Sequence, residues 1–221
     1  MSLKPTAITE EIYKYILDNF APEDPFLKTL KEESASAGMP QISISPDQGH
    51  FLQLLVKLTN ARYILEIGSL AGYSAITMAR ELPKDGHLHA VEINPDYVNF
   101  ISLKVKQAGL SSIIEIHNQN GINFFKEFHP EYNFDIVFVD ADKTSYIDYF
   151  KAADRLLRIG GIFIADNILA FGEITNDKPI RDKKNINAIR EFNKYVLKQK
   201  NYKTSLLTIG DGFLISMKLK K

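Results

Sequence analysis

The sequence predicts an α/β fold: a mostly parallel sheet with helices on both faces and an antiparallel strand at the C-terminal end. Three observations predict it. From Tyr63 onward, short apolar runs alternate with helical stretches; glycines or acids stand where several of those runs end; and the last two apolar runs are joined by Ile209-Gly-Asp-Gly212, a hairpin signal. The runs are Tyr63 to Ile67, Leu88 to Ile93, Ile113 to His117, Phe134 to Val139 and Ile162 to Ala165. Helices are expected between them over 73–82, 95–108, 122–128 and 144–157. Alternation at this spacing builds right-handed βαβ units and a parallel sheet covered on both faces. After a helix over 185–198, Thr204 to Thr208 and Phe213 to Leu219 make the closing hairpin.

The residues ahead of this pattern are helical in character. Ile8, Ile12, Ile16 and Phe20 recur every fourth position and form one apolar face, with Thr9 as N-cap and Pro22 and Pro25 ending the segment. A second helix is expected from Pro25 to Ala37, closed by Gly38. A third, over 47–59, carries Phe51, Leu54, Leu55 and Leu58 on one side. These faces read as core packing. The chain is thus expected to be one domain, 1–221, with an N-terminal helical segment (1–45) and an α/β core (46–221). The polar stretch from Phe171 to Lys184, with Pro179 and a charge cluster, is the expected mobile loop.

Composition narrows the chemistry. A chain of 221 residues, 45% hydrophobic and 24% charged, suits one sizeable core. Basic and acidic residues balance at 27 each, which leaves no overall electrostatic footprint for nucleic acid or an anionic membrane. The absence of cysteine excludes disulfides, thiolate metal sites and a cysteine nucleophile. No apolar run approaches a membrane span, and Met-Ser-Leu-Lys-Pro-Thr lacks the apolar core of a secretory signal. A cytoplasmic protein with neither nucleic acid nor membrane as partner is expected.

Open parallel sheets bind ligands at the carboxyl ends of their strands. Glu66-Ile-Gly68-Ser-Leu-Ala-Gly72-Tyr-Ser74 follows the first strand. Gly68 allows close backbone approach, Gly72 a tight entry into the next helix, and the Ser74 hydroxyl with free N–H groups suits a carboxylate. Glu92 ends the second strand, where an acid can accept both hydroxyls of a ribose, and Gly121 follows the third, where bare backbone could line an adenine. Each alone also fits a plain turn or a solvated acid. Together they favour a nucleoside ligand, and the absence of G-x-G-x-x-G argues against a dinucleotide.

Asp140-Ala-Asp142-Lys143 follows the fourth strand and Asp166-Asn167 the fifth. Neighbouring strands would bring Asp140, Asp166 and Asn167 together as an all-oxygen donor set suited to Mg²⁺, Mn²⁺ or Ca²⁺. The same spacing is met by turn residues, since Asp and Asn are common after strands. Lys143 is placed either to act as a base beside a cation or to be an exposed lysine at a helix start. His87 and His89 share a strand face but lie toward its amino end; they are read as surface or core histidines. His50, His117 and His129 show no partner spacing.

Four segments carry a resemblance: Ile64 to Ser74, Phe134 to Lys143, Gly160 to Asn167 and Ile209 to Phe213. The chain resembles the cation-dependent O-methyltransferases, which include the caffeoyl-CoA and catechol O-methyltransferases and bacterial relatives, over Lys4 to about Lys218. The resemblance implies a Rossmann-like class I methyltransferase fold with one seven-stranded sheet, its last strand pair antiparallel, and a homodimer. It implies that Asp140, Asp166 and Asn167 bind the metal. Glu66, Gly68, Ser74, Glu92, Gly121 and Asp140 would contact S-adenosylmethionine, with Ile44 adding a backbone contact. Lys143 matches the proposed catalytic lysine, and Lys4 a substrate-contacting one. The sequence departs from the plant pattern after Asp166-Asn167: Ile168-Leu-Ala-Phe171-Gly172 lacks the plant tryptophan, and Phe171 replaces a substrate-contacting asparagine.

The function implied is methyl transfer from S-adenosylmethionine to one hydroxyl of an aromatic vicinal diol that a divalent cation holds and acidifies, with Lys143 taking the proton. Two alternatives use the same kind of sheet: an NAD(P)-dependent oxidoreductase, and a non-catalytic domain that binds S-adenosylmethionine.

Overall fold

Residues 6–180 and 182–220 are described in a computed structural model of the chain. Seven strands, β1 (Tyr63–Ile67), β2 (His87–Glu92), β3 (Ile114–Asn118), β4 (Phe134–Val139), β5 (Leu157–Ala165), β6 (Tyr202–Leu207) and β7 (Phe213–Lys218), form one sheet in the order β3-β2-β1-β4-β5-β7-β6. The helices are α1 (Glu10–Phe20), α2 (Pro25–Ser36), α3 (Pro46–Leu58), α4 (Tyr73–Ala79), α5 (Pro95–Gln107), α6 (Gly121–Glu127), α7 (Tyr146–Leu156) and α8 (Lys183–Leu197). β1 to β5 pair in parallel, and β7 alone is reversed, antiparallel to both β5 and β6. The chain winds outward from β1 to β3, then restarts at β4 on the other side. The connections after β1 and β4 therefore leave in opposite directions and open a crevice at the carboxyl edge.

The five inner strands β1, β2, β4, β5 and β7 supply both cores. Ile64, Ile136, Phe138, Ile162 and Ile164 face a cluster closed by α2, α3, α4 and α5. Leu65, Ile67, Val137, Val139 and Phe163 face a second cluster closed by α6, α7 and α8. Burial on both faces is why the strands read as continuous apolar runs. Helix starts are marked locally: Thr9, Asp24, Asn94, Asn120 and Asp182 accept backbone N–H groups as N-caps, and Pro25, Pro46 and Pro95 stand in first turns.

The structure corrects three expectations. The apolar face of α1 is not core: no residue of the helix is buried, Phe20 is 67% exposed, and Ile8 just ahead of it 58%. α1 touches α3 from outside, with the Tyr13 hydroxyl donating to Asp47 at 3.1 Å, while α2, α3 and α4 already fill the layer beneath. α3 buries Gln48, Gly49, Leu52, Leu55 and Val56, whereas Leu54 and Leu58 are exposed. The helix is rotated because the buried face includes a glutamine whose amide finds polar partners. β5 starts at Leu157, directly after α7, rather than at Ile162. Gly160 (φ +78°) and Gly161 lie inside the strand where its register with β4 shifts.

Candidate functional site

The carboxyl ends of β1, β2, β4 and β5 converge on a cavity of about 920 Å³. Ile44, Gly68, Ser74, Glu92, Gly121, Asp140, Lys143, Asp166, Asn167 and Phe171 all line it. Glu66 is fully buried and does not line the wall; Lys4 lies outside the described residues.

At one end, the loop over 68–72 passes between β1 and β2. Gly68 has φ +91°, and a Cβ there would stand 2.2 Å from the Asp140 carbonyl oxygen. Its bareness is thus required by the β4 backbone. Leu70 (φ +47°) donates its N–H to Glu92 Oε2 at 2.9 Å, and Asn94 N–H donates to Oε1 at 2.9 Å. One N–H on each oxygen fixes the carboxylate and leaves each a lone pair. Glu66 Oε2 accepts from the Ser69 hydroxyl at 2.6 Å, while Oε1 is buried with no hydrogen bond. Burial, with the charges of Asp140 and Glu92 added, pushes Glu66 up to about 7. Gly121 is closed in from behind: a Cβ would meet Ile67 at 2.6 Å and Tyr149 at 2.9 Å.

At the other end, Asp140 and Asp166 extend the ladders of adjacent strands: Asp140 N–H donates to the Ile67 carbonyl and Asp166 N–H to that of Val139. Asp166 is buried; its Oδ1 accepts Asn167 N–H at 2.6 Å and Gln48 Nε2 at 3.1 Å. Burial, reinforced by the charge of Asp140, pushes its carboxyl well above the usual range. Asn167 takes a left-handed backbone, φ +61°. Lys143 Nζ donates to Asp140 Oδ1 at 2.8 Å and to the Tyr146 hydroxyl at 2.6 Å. That hydroxyl, fully buried, donates to the Asp166 carbonyl at 3.1 Å. Asp142 belongs to another contact, accepting the Tyr149 hydroxyl at 2.6 Å.

Gln48, Tyr146 and Asp211 were not singled out by the sequence reading. The Ser45-Pro-Asp-Gln48 start of α3 carries a local signal, since Gln48 Oε1 accepts the Ser45 N–H and hydroxyl, both at 3.0 Å. Its reach to Asp166, 118 positions on, has no local trace. Asp211 accepts the Phe171 N–H on both carboxylate oxygens, at 2.8 and 2.9 Å, so the hairpin connection forms part of the cavity wall. In the stretch after Phe171, expected to be mobile, the Ile174 and Glu173 carbonyls accept from Arg190 at 3.0 and 3.1 Å.

Away from the cavity, His117 does have a partner. His89 Nδ1 and His117 Nε2 lie 2.9 Å apart across β2 and β3, and His89 Nε2 is 2.6 Å from the Tyr132 hydroxyl. Burial pushes His89 down to about 4 and lowers His117 as well. Register between strands created this pair, and spacing along one strand could not reveal it.

A sheet in this order with only β7 reversed, and a cavity at the carboxyl edge beside β1 and β4, is the architecture of the class I methyltransferases. The chain belongs to the O-methyltransferase family, whose model matches residues 18–219, and it is an enzyme of that class. This removes the oxidoreductase reading. A catechol O-methyltransferase of Niastella koreensis is 42% identical over 172 residues, 77% of this chain and 78% of that one. A caffeoyl-CoA O-methyltransferase of Medicago sativa is 31% identical over 224 residues, 96% and 90% of the two chains. Among solved structures, the O-methyltransferase of Bacillus cereus in complex with SAH superposes with a TM-score of 0.87 at 30% identity, covering 94% of this chain and 97% of that one.

Proposed function

We propose that this O-methyltransferase moves the methyl group of S-adenosylmethionine onto one hydroxyl of an aromatic vicinal diol, with a divalent cation held by Asp140, Asp166 and Asn167. The observation that carries the reading is the charge imbalance at the cavity's acid end. Asp166 is buried within reach of the charge of Asp140, and a cation between oxygen donors relieves that repulsion. The donor set, two carboxylates and an amide carbonyl, matches Mg²⁺, Mn²⁺ or Ca²⁺. When bound, the cation would supply Lewis acidity to the acceptor hydroxyls.

The chain's own residues do the positioning. Gln48 and the Asn167 N–H orient the Asp166 carboxylate. Glu92, fixed by two N–H groups, offers its remaining lone pairs to a ribose diol. Glu66 lies behind the cavity wall, so its proposed contact needs the wall to open there; its unpartnered Oε1 is then the atom that accepts the ammonium of S-adenosylmethionine, a ligand the SAH-bound relative supports. Gly68, Ser74, Gly121, Asp140 and the Ile44 backbone complete the proposed donor site. Lys143 is assigned as the base for the hydroxyl proton, held between Asp140 and Tyr146. Alignment of this kind can contribute about 7–11 kcal/mol.

The acceptor is inferred to be a free diol rather than a CoA thioester. Among the described residues lining the cavity, Lys143 is the one lysine or arginine, so these residues form no cationic cluster for phosphates. The catechol-named relative supports the same choice. Phe171, at the exposed rim, is proposed to cover the ring. A homodimer is inferred as well, because α1 leaves Tyr15 and Phe20 exposed as an edge-on aromatic pair 5.9 Å apart.

The test is SAH release from a panel of catechols, caffeate, caffeoyl-CoA and flavonoids, with tRNA as control, each with and without divalent metal. Turnover of free catechols that EDTA abolishes is expected, with Asp140→Ala inactive but folded. Full activity of Asp140→Ala in EDTA would sink the cation assignment.

A further inference from the structure

A second cluster of metal-type donors lies outside the cavity, on the α6 face of β2 and β3. His89 on β2 pairs in register with Glu115 on β3, and His117 stands two residues further along the same face. His89 Nδ1 and His117 Nε2 are 2.9 Å apart; His89 Nδ1 is 3.5 Å from Glu115 Oε2, and His117 Nε2 is 3.7 Å from Glu115 Oε1. All three donor atoms lie within 4.8 Å of one another. We propose that His89, His117 and Glu115 form a site for a borderline-soft divalent transition ion of the Zn²⁺ type, separate from the methyl-transfer centre.

The geometry fits such an ion. Donors about 2.0–2.1 Å from a zinc stand about 2.9 Å apart at a right angle and about 3.4 Å apart at the tetrahedral angle. The two imidazole nitrogens already stand at the right-angle separation, and one Glu115 oxygen, within 4.8 Å of both, can close on the ion by rotation of its exposed side chain. Two imidazoles and a carboxylate select Zn²⁺, Ni²⁺ or Cu²⁺ over Mg²⁺ or Ca²⁺, the reverse of the all-oxygen set in the cavity.

The surroundings are those of a ligand site. A metal on His89 Nδ1 leaves the proton on Nε2, which then donates to Tyr132 Oη, 2.6 Å away. A second partner on the far nitrogen is what orients metal-binding histidines. Phe128 packs on both rings, with Phe134 against His89 and Phe124 against His117, making a dry floor. Glu115, 67% exposed, supplies the solvent side, where water can complete the shell. The bound ion would staple β2 to β3.

The experiment uses chelator-stripped full-length protein in millimolar Mg²⁺, which fills the hard cavity site. Zn²⁺ is titrated calorimetrically and Co²⁺ by its visible absorption. One Zn²⁺ per chain and a raised Tm are expected. His117→Gln should weaken binding by about 100-fold or more, as loss of a ligand, and Tyr132→Phe by about 10-fold, as loss of the partner that orients His89. Glu115→Gln, on an exposed side chain, tests the site without disturbing the core and should weaken binding by at least about 10-fold. Asp166→Asn should leave Zn²⁺ affinity unchanged. Absence of Zn²⁺ binding in Mg²⁺, binding that survives both His117→Gln and Glu115→Gln, or binding abolished by Asp166→Asn would overturn the proposal.

Discussion

Gly68 separates two explanations that look alike in sequence. A glycine after the first strand suggests close approach to a ligand, yet the atom that excludes a Cβ there is the Asp140 carbonyl oxygen, 2.2 Å away. Gly68→Ala therefore adds a backbone collision to a positive φ. A loss of roughly 1–3 kcal/mol is expected from urea unfolding of the ligand-free protein. Unchanged stability would return the glycine to a ligand-only role. Glu66 yields a pH prediction. Its carboxyl is raised from 4.5 to about 7 by burial, so its stability contribution is full below pH 4.5 and is lost as pH rises to about 7. His89, depressed from 6.5 to about 4, acts in the opposite sense over an overlapping window, losing its contribution as pH falls. The measurement is thus the difference between wild type and Glu66→Gln. From pH 4.5 to 7 that difference should move in favour of the variant by on the order of 3 kcal/mol, and a pH-independent difference would refute it.

At the scale of elements, α3 is more than packing. Its first turn carries Gln48, anchored to Ser45 on one side and to Asp166 on the other, and a Cβ on Gly210 would collide with the Gln48 side chain. A helix ahead of the sheet and the hairpin behind it thus meet at one carboxylate. Gln48→Ala removes the Asp166 partner. The metal concentration for half-maximal activity should rise about 10–100-fold, as for loss of a residue that orients a ligand, with kcat at saturating metal changed far less. An unchanged metal requirement would make Gln48 a purely structural residue. The Arg190 bonds show the opposite case: in a segment rich in polar residues, the Glu173, Ile174 and Asn176 carbonyls all accept from one side chain of α8.

For the whole molecule, the outer side of α1 is the clearest feature. Ile12 and Ile16 are half-buried, while Ile8, Tyr15 and Phe20 stay exposed and leave apolar surface for a neighbour. Sedimentation should find a dimer, and Phe20→Asp should shift it toward monomer; a monomeric wild type would refute the dimer. The fold itself was largely legible. Continuous apolar runs reported burial on both sheet faces, and caps and prolines marked helix starts. The candidate cavity lining was legible where its residues sit at or directly after strand ends, as Glu92, Asp140 and Asp166 do, because a strand end in a parallel sheet has only one place to be.

Sequence alone determined the sheet, its reversed strand near the end, and the acids on its carboxyl edge, since these follow from periodicity and from position along a strand. Only the tertiary structure decided what approaches that edge from elsewhere: Gln48 on Asp166, Tyr146 under Lys143, the hairpin under Phe171, and His117 beside His89. Those contacts join residues on different elements, and their partners are chosen by packing and strand register, which leave no mark on local spacing.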